Sequence, residues 1–206
     1  MQKRHLLMLF ATAAMAVSAT AACAAAPRYD FAGLSYQFIN HPAGSDVSTD
    51  EAFGISGSYV LTDNWVLGGN YSHENADLIF NDEKVSGNSY ELGVGYRFPL
   101  MDSVDLVPTL SYLSDHATAS GPGLVTNSST DTGYDAGVEL RAMITPVVEL
   151  DFDVDHTTLG PASNQVGVAV LYNFAPSFAV GLGYAESSAN GQNTSGVTLA
   201  LRYYFK

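Results

Sequence analysis

The feature that most constrains this chain of 206 residues is a repeated alternation of apolar residues with polar or small ones. In the stretch "VVELDFDVDH", Val147 to His156, four apolar residues alternate with four acids. The acids are Glu149, Asp151, Asp153 and Asp155. Successive side chains of a strand point to opposite faces, so this strand has one apolar face and one face of carboxylates. It needs an apolar solvent on one side and water on the other.

Rows of alternate apolar residues recur ten times, and helical periodicity is absent after residue 27. Each row covers roughly 9 to 11 residues, which is the length that a tilted strand needs to cross a bilayer. The rows begin at Leu34, Phe53, Trp65, Tyr90, Leu106, Tyr134, Val148, Val166, Phe178 and Val197. The pattern predicts an all-β chain of ten strands, or of eight if two weak rows, such as the first pair, are not strands.

The connections between these rows alternate in length. Short ones rich in Pro, Asp and Asn fall at 62–65, 99–103, 145–146 and 175–177. Long polar ones fall at 39–50, 75–88, 117–131, 157–164 and 187–195. This rhythm predicts an up-and-down antiparallel transmembrane β-barrel, with short turns and both chain ends on one rim and long loops on the other.

The first residues have the layout of a secretory signal peptide. Lys3 and Arg4 precede an apolar run from Leu6 to Val17, and small residues follow it. We predict a cleaved signal peptide over residues 1–24 and one barrel domain over residues 25–206. The single cysteine, Cys23, is either a lipidated first residue of the mature chain or is discarded with the signal.

Charge and cysteine content exclude several classes of function. After residue 24, six basic residues remain against 21 acids, which gives a net charge of −15 and argues against nucleic acid as a partner. A mature chain without cysteine has no disulfide, no thiol catalysis and no cysteine-ligated metal. We expect no cofactor.

These features together resemble the small Gram-negative outer-membrane β-barrel proteins of the OmpA-like transmembrane type. The last strand, "GVTLALRYYFK", has alternate apolar residues and an aromatic at its end, as in that family, although Lys206 follows the aromatic here. The resemblance covers the whole mature chain. It implies a location in the outer membrane, contact with lipid and lipopolysaccharide, and insertion by the barrel-assembly machinery.

Residues between the apolar rows are predicted to face the barrel lumen. The charged ones are Glu91, Arg97, Asp135, Glu139, Arg141, Glu149, Asp151, Asp153, Asp155 and Arg202. Neighbouring acids of one strand lie about 7 Å apart, so they need water, a cation or an arginine. Arg141 is the best-placed partner, and Arg97 and Arg202 are candidates to reach across. The set is therefore either an arginine–acid network that plugs the barrel or a pathway or Ca²⁺ site for cations.

Four histidines occur where strands meet long loops, and three of them share the parity of the lipid-facing rows. These three are His73, His116 and His156. They are either contacts for lipopolysaccharide phosphates or ordinary polar residues of the membrane interface. Next odd strands lie roughly 10 Å apart, which is too far for two of the histidines to share a metal ion.

Catalysis is the last class of function to weigh. Omptins, a protease family of ten-strand barrels, use acids and a histidine near the outer rim. In Asp115-His116 and Asp155-His156 the two residues are adjacent, which sends them to opposite faces of a strand. We therefore predict no enzyme, but an outer-membrane barrel with a structural or surface-interaction role. Alternatives are a small cation-preferring pore, an adhesin or surface-signalling protein, and an outer-rim hydrolase.

Overall fold

The computed structural model of the protein describes residues 25–41, 47–78, 84–121 and 127–205. The predicted signal peptide and Cys23 lie outside the described residues. The described chain forms eleven strands. They are β1 (Phe31–Asn40), β2 (Val47–Val60), β3 (Trp65–Leu78), β4 (Lys84–Tyr96), β5 (Phe98–Met101), β6 (Val104–Ser120), β7 (Asn127–Thr145), β8 (Val148–Thr157), β9 (Ser163–Ala175), β10 (Phe178–Ala189) and β11 (Gln192–Tyr204). No helix among these residues is long and apolar enough to cross a membrane.

The strands close into a barrel. Each pairs antiparallel with its neighbours, and β1 pairs with β11 from Phe31 opposite Tyr204 onwards. β4 and the short β5 both pair with β6, so they act as one barrel strand interrupted at Arg97. The closed barrel therefore has ten strands, as predicted, and the eight-strand alternative is wrong because the first two rows form β1 and β2.

The connections alternate in length as predicted except for the last one, and the long ones are shorter than the sequence indicated. Strands β6 and β7 contain 17 and 19 residues and continue well past the roughly 10 that a bilayer requires. The predicted loop at 187–195 is a two-residue hairpin turn, with φ of 51° at Asn190 and 79° at Gly191. Asn-Gly is the preferred pair for such a turn, because both positions need positive φ. Polar composition misled the boundaries, since these strand ends lie beyond the apolar band.

The outer face of the barrel is apolar. Large side chains on the alternate rows are exposed there, with Leu92 at 61% and Leu182 at 57%. Aromatic residues gather at two levels. Near the long loops Tyr112 faces Tyr134, with ring centroids 5.9 Å apart, and near the short turns Trp65 faces Tyr96 at 5.0 Å. Two aromatic belts around an apolar band are typical of membrane barrels.

The lumen divides along its length into two parts. The turn half, next to the short turns, is packed with buried apolar side chains, among them Val66, Val107, Leu171 and Tyr204. The loop half, next to the long loops, is lined by small and acidic residues. An internal cavity of about 570 Å³ occupies the lumen above the packed part.

Candidate functional site in the barrel lumen

The acid row of β8 runs along both halves of the lumen. Val148, at the start of β8, follows a short turn, so Glu149 and Asp151 lie in the turn half and Asp153 and Asp155 lie in the loop half. Glu149 is 1% exposed and Asp151 is 5% exposed, whereas the other two acids are only half-buried. The four acids of one strand therefore have two environments.

In the turn half, Arg141 of β7 binds the acids of β8. Arg141 pairs in register with Asp151, and its Nε donates to Oε1 of Glu149 over 2.7 Å. The guanidinium also lies 3.6 Å from the Asp151 carboxylate and 3.9 Å from that of Glu139. Arg202 reaches from β11 to Oδ2 of Asp151 at 3.4 Å. Two guanidinium groups thus neutralise the acids that are most deeply buried, as such acids require.

Arg97 has a different partner from the one that the sequence suggested. It does not pair with the β8 row but donates from Nε and Nη2 to Oδ2 of Asp105 on β6, over 3.1 and 2.9 Å. The same oxygen accepts a hydrogen bond from the Tyr29 hydroxyl at 3.0 Å. Asp105 is 2% exposed. A second arginine–acid cluster therefore lies beside the Arg141 cluster.

Tyr29 joins the two clusters. It precedes β1, enters the turn half of the lumen and is 4% exposed. The guanidinium carbon of Arg97 lies 4.4 Å from its ring centroid and that of Arg141 lies 4.2 Å away. Each arginine over an aromatic ring is a cation–π contact, and both are screened from water here. A side chain that does not belong to the barrel wall therefore fills part of the lumen at this level.

Arg28 fixes the same segment at the rim of the barrel. Its guanidinium donates to the Pro176 carbonyl and to Oδ1 of Asn173, the latter over 3.2 Å, and lies 3.8 Å from the Tyr204 ring centroid. In return, Arg141 Nη2 donates to the Arg28 carbonyl at 3.0 Å. Residues 28 and 29 are thus held by both the wall and the lumen network.

In the loop half, acids line the lumen without arginines beside them. Among the described residues no Arg or Lys forms an ion pair with Asp153 or Asp155, nor with Glu91 or Asp135. Glycines stand opposite the two β8 acids, Gly167 facing Asp153 and Gly137 facing Asp155. They leave room for the carboxylates against the wall, because a Cβ at either glycine would lie within 2.9 Å of a carboxyl carbon.

The acid–histidine neighbours of the sequence point to opposite faces. Asp115 lies in the lumen and accepts a hydrogen bond from the Ser89 hydroxyl, whereas His116 lies on the outer face beside Thr130. A different histidine, His41, meets an acid inside the barrel mouth, with Nε2 2.7 Å from Oδ2 of Asp50. Within the described ranges no group of three or more His, Cys, Asp or Glu side chains is placed to hold a metal ion.

The three outward histidines repeat one arrangement. Nδ1 of His73 lies 3.0 Å from Asn88, that of His116 lies 2.9 Å from Thr130, and that of His156 lies 2.9 Å from Asn164. Each partner stands directly opposite on the next strand. Asn88 is also opposite His116, so His73, Asn88 and His116 form one polar patch across β3, β4 and β6, which we call the histidine patch. His156 lies apart from it.

Sequence reasoning missed Arg28, Tyr29 and Asp105. Asp105 shares the lumen parity of β6, so its position was available from the alternation. Tyr29 and Arg28 precede the first apolar row, and no periodic signal identifies a segment that turns into the lumen. Only the closed barrel brings residues 28 and 29 next to residues 97, 141 and 173.

Comparison with known proteins gives the family of the chain. The model of the outer membrane protein beta-barrel domain matches residues 7–174. No curated protein sequence matches the chain. Among solved structures, the translocator domain of the autotransporter NalP from Neisseria meningitidis is similar, with 10% identity, a TM-score of 0.54, and coverage of 99% of this chain and 98% of that one. The transport unit of the autotransporter AIDA-I from Escherichia coli has 10% identity and a TM-score of 0.52, with 87% and 91% covered. The attachment invasion locus protein Ail of Yersinia pestis has 15% identity and a TM-score of 0.43, with 86% and 100% covered. At these identities the solved structures indicate the fold alone.

Proposed function

The chain belongs to the outer membrane protein beta-barrel domain family, and from this premise we propose that it is a closed structural barrel that contacts lipopolysaccharide and presents a hairpin at the cell surface. The observation that carries the proposal is the filled turn half of the lumen. An open pore needs a continuous aqueous path, and here Tyr29 lies between Arg97 and Arg141 in the middle of that path.

Conductance measurements test the closed state. The full chain, refolded and inserted into a planar bilayer, is expected to give no sustained current steps in KCl at moderate voltages. Steady open steps in most insertions of correctly folded protein would contradict a structural role and favour the pore.

The histidine patch supports contact with lipopolysaccharide. In His73 the Nδ1 atom is directed at the Asn88 amide oxygen, which only accepts, so the ring donates from Nδ1. Nε2 of His73 has no hydrogen bond to a described residue. When the ring is protonated, this nitrogen becomes a donor for a phosphate oxygen. Nδ1 of His156 faces an asparagine oxygen in the same way, and Nδ1 of His116 faces the Thr130 hydroxyl, so three imidazole rings lie along the outer face.

Substitution of the three outward histidines tests this contact. We expect the triple variant His73→Asn, His116→Asn, His156→Asn to bind purified lipopolysaccharide several-fold more weakly in detergent. His41→Asn is the matched control, because His41 lies in the lumen beside Asp50 and should leave the affinity unchanged. Equal affinities of the triple variant and the wild type would remove lipopolysaccharide contact from the proposal.

The hairpin of β6 and β7 supports a surface role. From the Tyr112–Tyr134 pair of the aromatic belt it continues for seven further residue pairs to Ala119 and Asn127. At about 3.4 Å per residue the hairpin extends roughly 24 Å along the strand beyond the belt. An element of this length is available to a partner at the cell surface.

Single-cysteine labelling tests where this hairpin lies. In a Cys23→Ser background, Ser120→Cys on the hairpin and Asp102→Cys on a short turn are both in exposed positions. On intact cells, a membrane-impermeant maleimide is expected to label only Ser120→Cys, and lysed cells should label both. Labelling of Asp102→Cys alone on intact cells would reverse the orientation and overturn the surface role.

A further inference from the structure

The closure of the lumen depends on a segment that is not part of the barrel wall. Residues 25–30 precede β1, and Tyr29 forms part of the floor of the 570 Å³ cavity together with Val66 and Val107. Above this floor the cavity is lined by acids of three strands, β4, β7 and β8. Below it lies the rim at which Arg28 is bound. Tyr29 therefore lies between the cavity and the short-turn end of the lumen.

The contacts of this segment divide into an anchor and a latch. The anchor is Asp30, whose carboxylate accepts a hydrogen bond from the Val60 amide at 3.0 Å and whose carbonyl accepts one from the Phe205 amide at 3.2 Å. The latch consists of the side-chain contacts of Arg28 and Tyr29 with Asn173, Arg97, Arg141 and Tyr204. No strand ladder includes residues 25–29. Residues 25–29 can therefore move away from the lumen about Asp30 without loss of hydrogen bonds between barrel strands.

The charges of the lumen determine which ions would pass. The cavity is lined by five acids, Glu91, Asp135, Glu139, Asp153 and Asp155, against two arginines, Arg141 and Arg202, which leaves a net charge of −3. Both arginines already contact Glu149 or Asp151 in the wall. Apart from Glu139, which lies 3.9 Å from Arg141, the acids that line the cavity form no ion pair with an Arg or Lys among the described residues. Acidic side chains that line a narrow path favour cations over anions.

We propose that residues 25–29 are a detachable plug, anchored at Asp30, and that the barrel conducts cations when Arg28 and Tyr29 move away from the lumen and its rim. This goes beyond the proposed closed barrel, because it assigns the closure to one removable segment and gives the open state an ion selectivity. The two are separable by experiment, since the wild type tests the closed state and plug variants test the inference.

Planar-bilayer recording of the full chain with Tyr29→Ala tests the plug. We expect current steps whose total open time exceeds that of the wild type by at least about tenfold, because two cation–π contacts and a buried side chain are lost. The matched control is Tyr172→Ala, which removes a tyrosine that is 51% exposed on the outer face of β9. Its currents should equal those of the wild type. Folding of each variant is checked by its heat-dependent shift in electrophoretic mobility.

A second variant keeps the inference testable if Tyr29→Ala does not fold. Arg28→Ala removes the rim contacts and leaves Tyr29 itself intact, and it should also raise the open time above that of Tyr172→Ala. If either folded plug variant conducts no more than Tyr172→Ala, the plug is overturned.

Selectivity is tested in whichever plug variant conducts. Under a tenfold KCl gradient the reversal potential should have the sign of preferred cation permeation. Addition of Asp153→Asn and Asp155→Asn should move this potential towards zero while the current steps persist. An anion-side potential, or one that the added substitutions leave unchanged, would overturn the cation path through these acids.

Discussion

The two halves of the lumen contain the same kind of acid on the same strand, but they place it in different environments. In the turn half, Glu149 and Asp151 are almost completely buried and bind Arg141 and Arg202. In the loop half, Asp153 and Asp155 face a cavity and glycines. A buried carboxylate without a partner is costly, whereas one in contact with water is not. The role of an acid in an alternating row is therefore decided by the strand beside it.

Removal of Arg141 should have the largest effect on the free energy of unfolding, and it tests whether the acids of the turn half depend on their arginine. Arg141→Met keeps much of the side-chain volume but leaves Glu149 and Asp151 buried beside a neutral group. We expect a loss of about 3 to 5 kcal/mol in the free energy of unfolding. Urea unfolding in lipid vesicles, followed by fluorescence of Trp65, the only tryptophan, measures it.

Lys84→Ala is the control for that substitution. The Lys84–Asp77 pair at 3.6 Å is solvent-exposed, so its removal should cost about 0 to 1 kcal/mol. Similar losses for Arg141→Met and Lys84→Ala would show that burial does not set the value of these pairs.

A matched pair of acid substitutions tests the comparison directly. Asp151→Asn removes a carboxylate that contacts both Arg141 and Arg202 and should cost about 2 to 3 kcal/mol of unfolding free energy. Asp155→Asn, in the loop half, should leave stability unchanged or raise it, because a carboxylate without an arginine is lost. Equal losses of unfolding free energy at the two positions would show that acids in the two halves of the lumen do not differ in their contribution to stability.

Among these tests, substitution of Gly137 should cause the smallest loss in the free energy of unfolding. In Gly137→Ala the new Cβ would lie 2.9 Å from Cγ of Asp155 and 3.1 Å from Oγ1 of Thr109, so the carboxylate must move. We expect a loss of about 1 to 2 kcal/mol in the same unfolding assay. In the control Gly183→Ala the nearest atom is 3.5 Å away, and little change is expected. A larger loss in the control would mean that Gly137 does not serve to seat Asp155.

Most of the barrel could be predicted because strand alternation is a local property. A row such as Val148 to Val154 fixes which side chains face lipid whatever the neighbours are, and short turns between rows fix the antiparallel order. The strand ends near the long loops were harder to predict, because beyond the apolar band a polar strand and a polar loop have the same composition. Asn190-Gly191 is an exception, because this pair by itself favours a two-residue hairpin turn.

The lumen site could be predicted only in part. Parity placed the ten charged candidates on the inner face, and adjacency of strands indicated Arg141 as a partner of the β8 acids, which is the contact that the structure contains. The partner of Arg97 was not predictable in the same way. Tyr29, which precedes the first strand, binds Asp105 and lies against the guanidinium groups of Arg97 and Arg141.

The sequence by itself determined the compartment, the strand alternation and the inner face, because each of these follows from chemistry within a few neighbouring residues. Only the tertiary structure decided which acids are paired and which side chains fill the turn half of the lumen. Ring closure of β1 onto β11 brings Arg202 to Asp151, 51 residues away in the chain, and folds Tyr29 against Asp105, 76 residues away. Contacts of that separation depend on the barrel's circumference and stagger, which no local pattern contains.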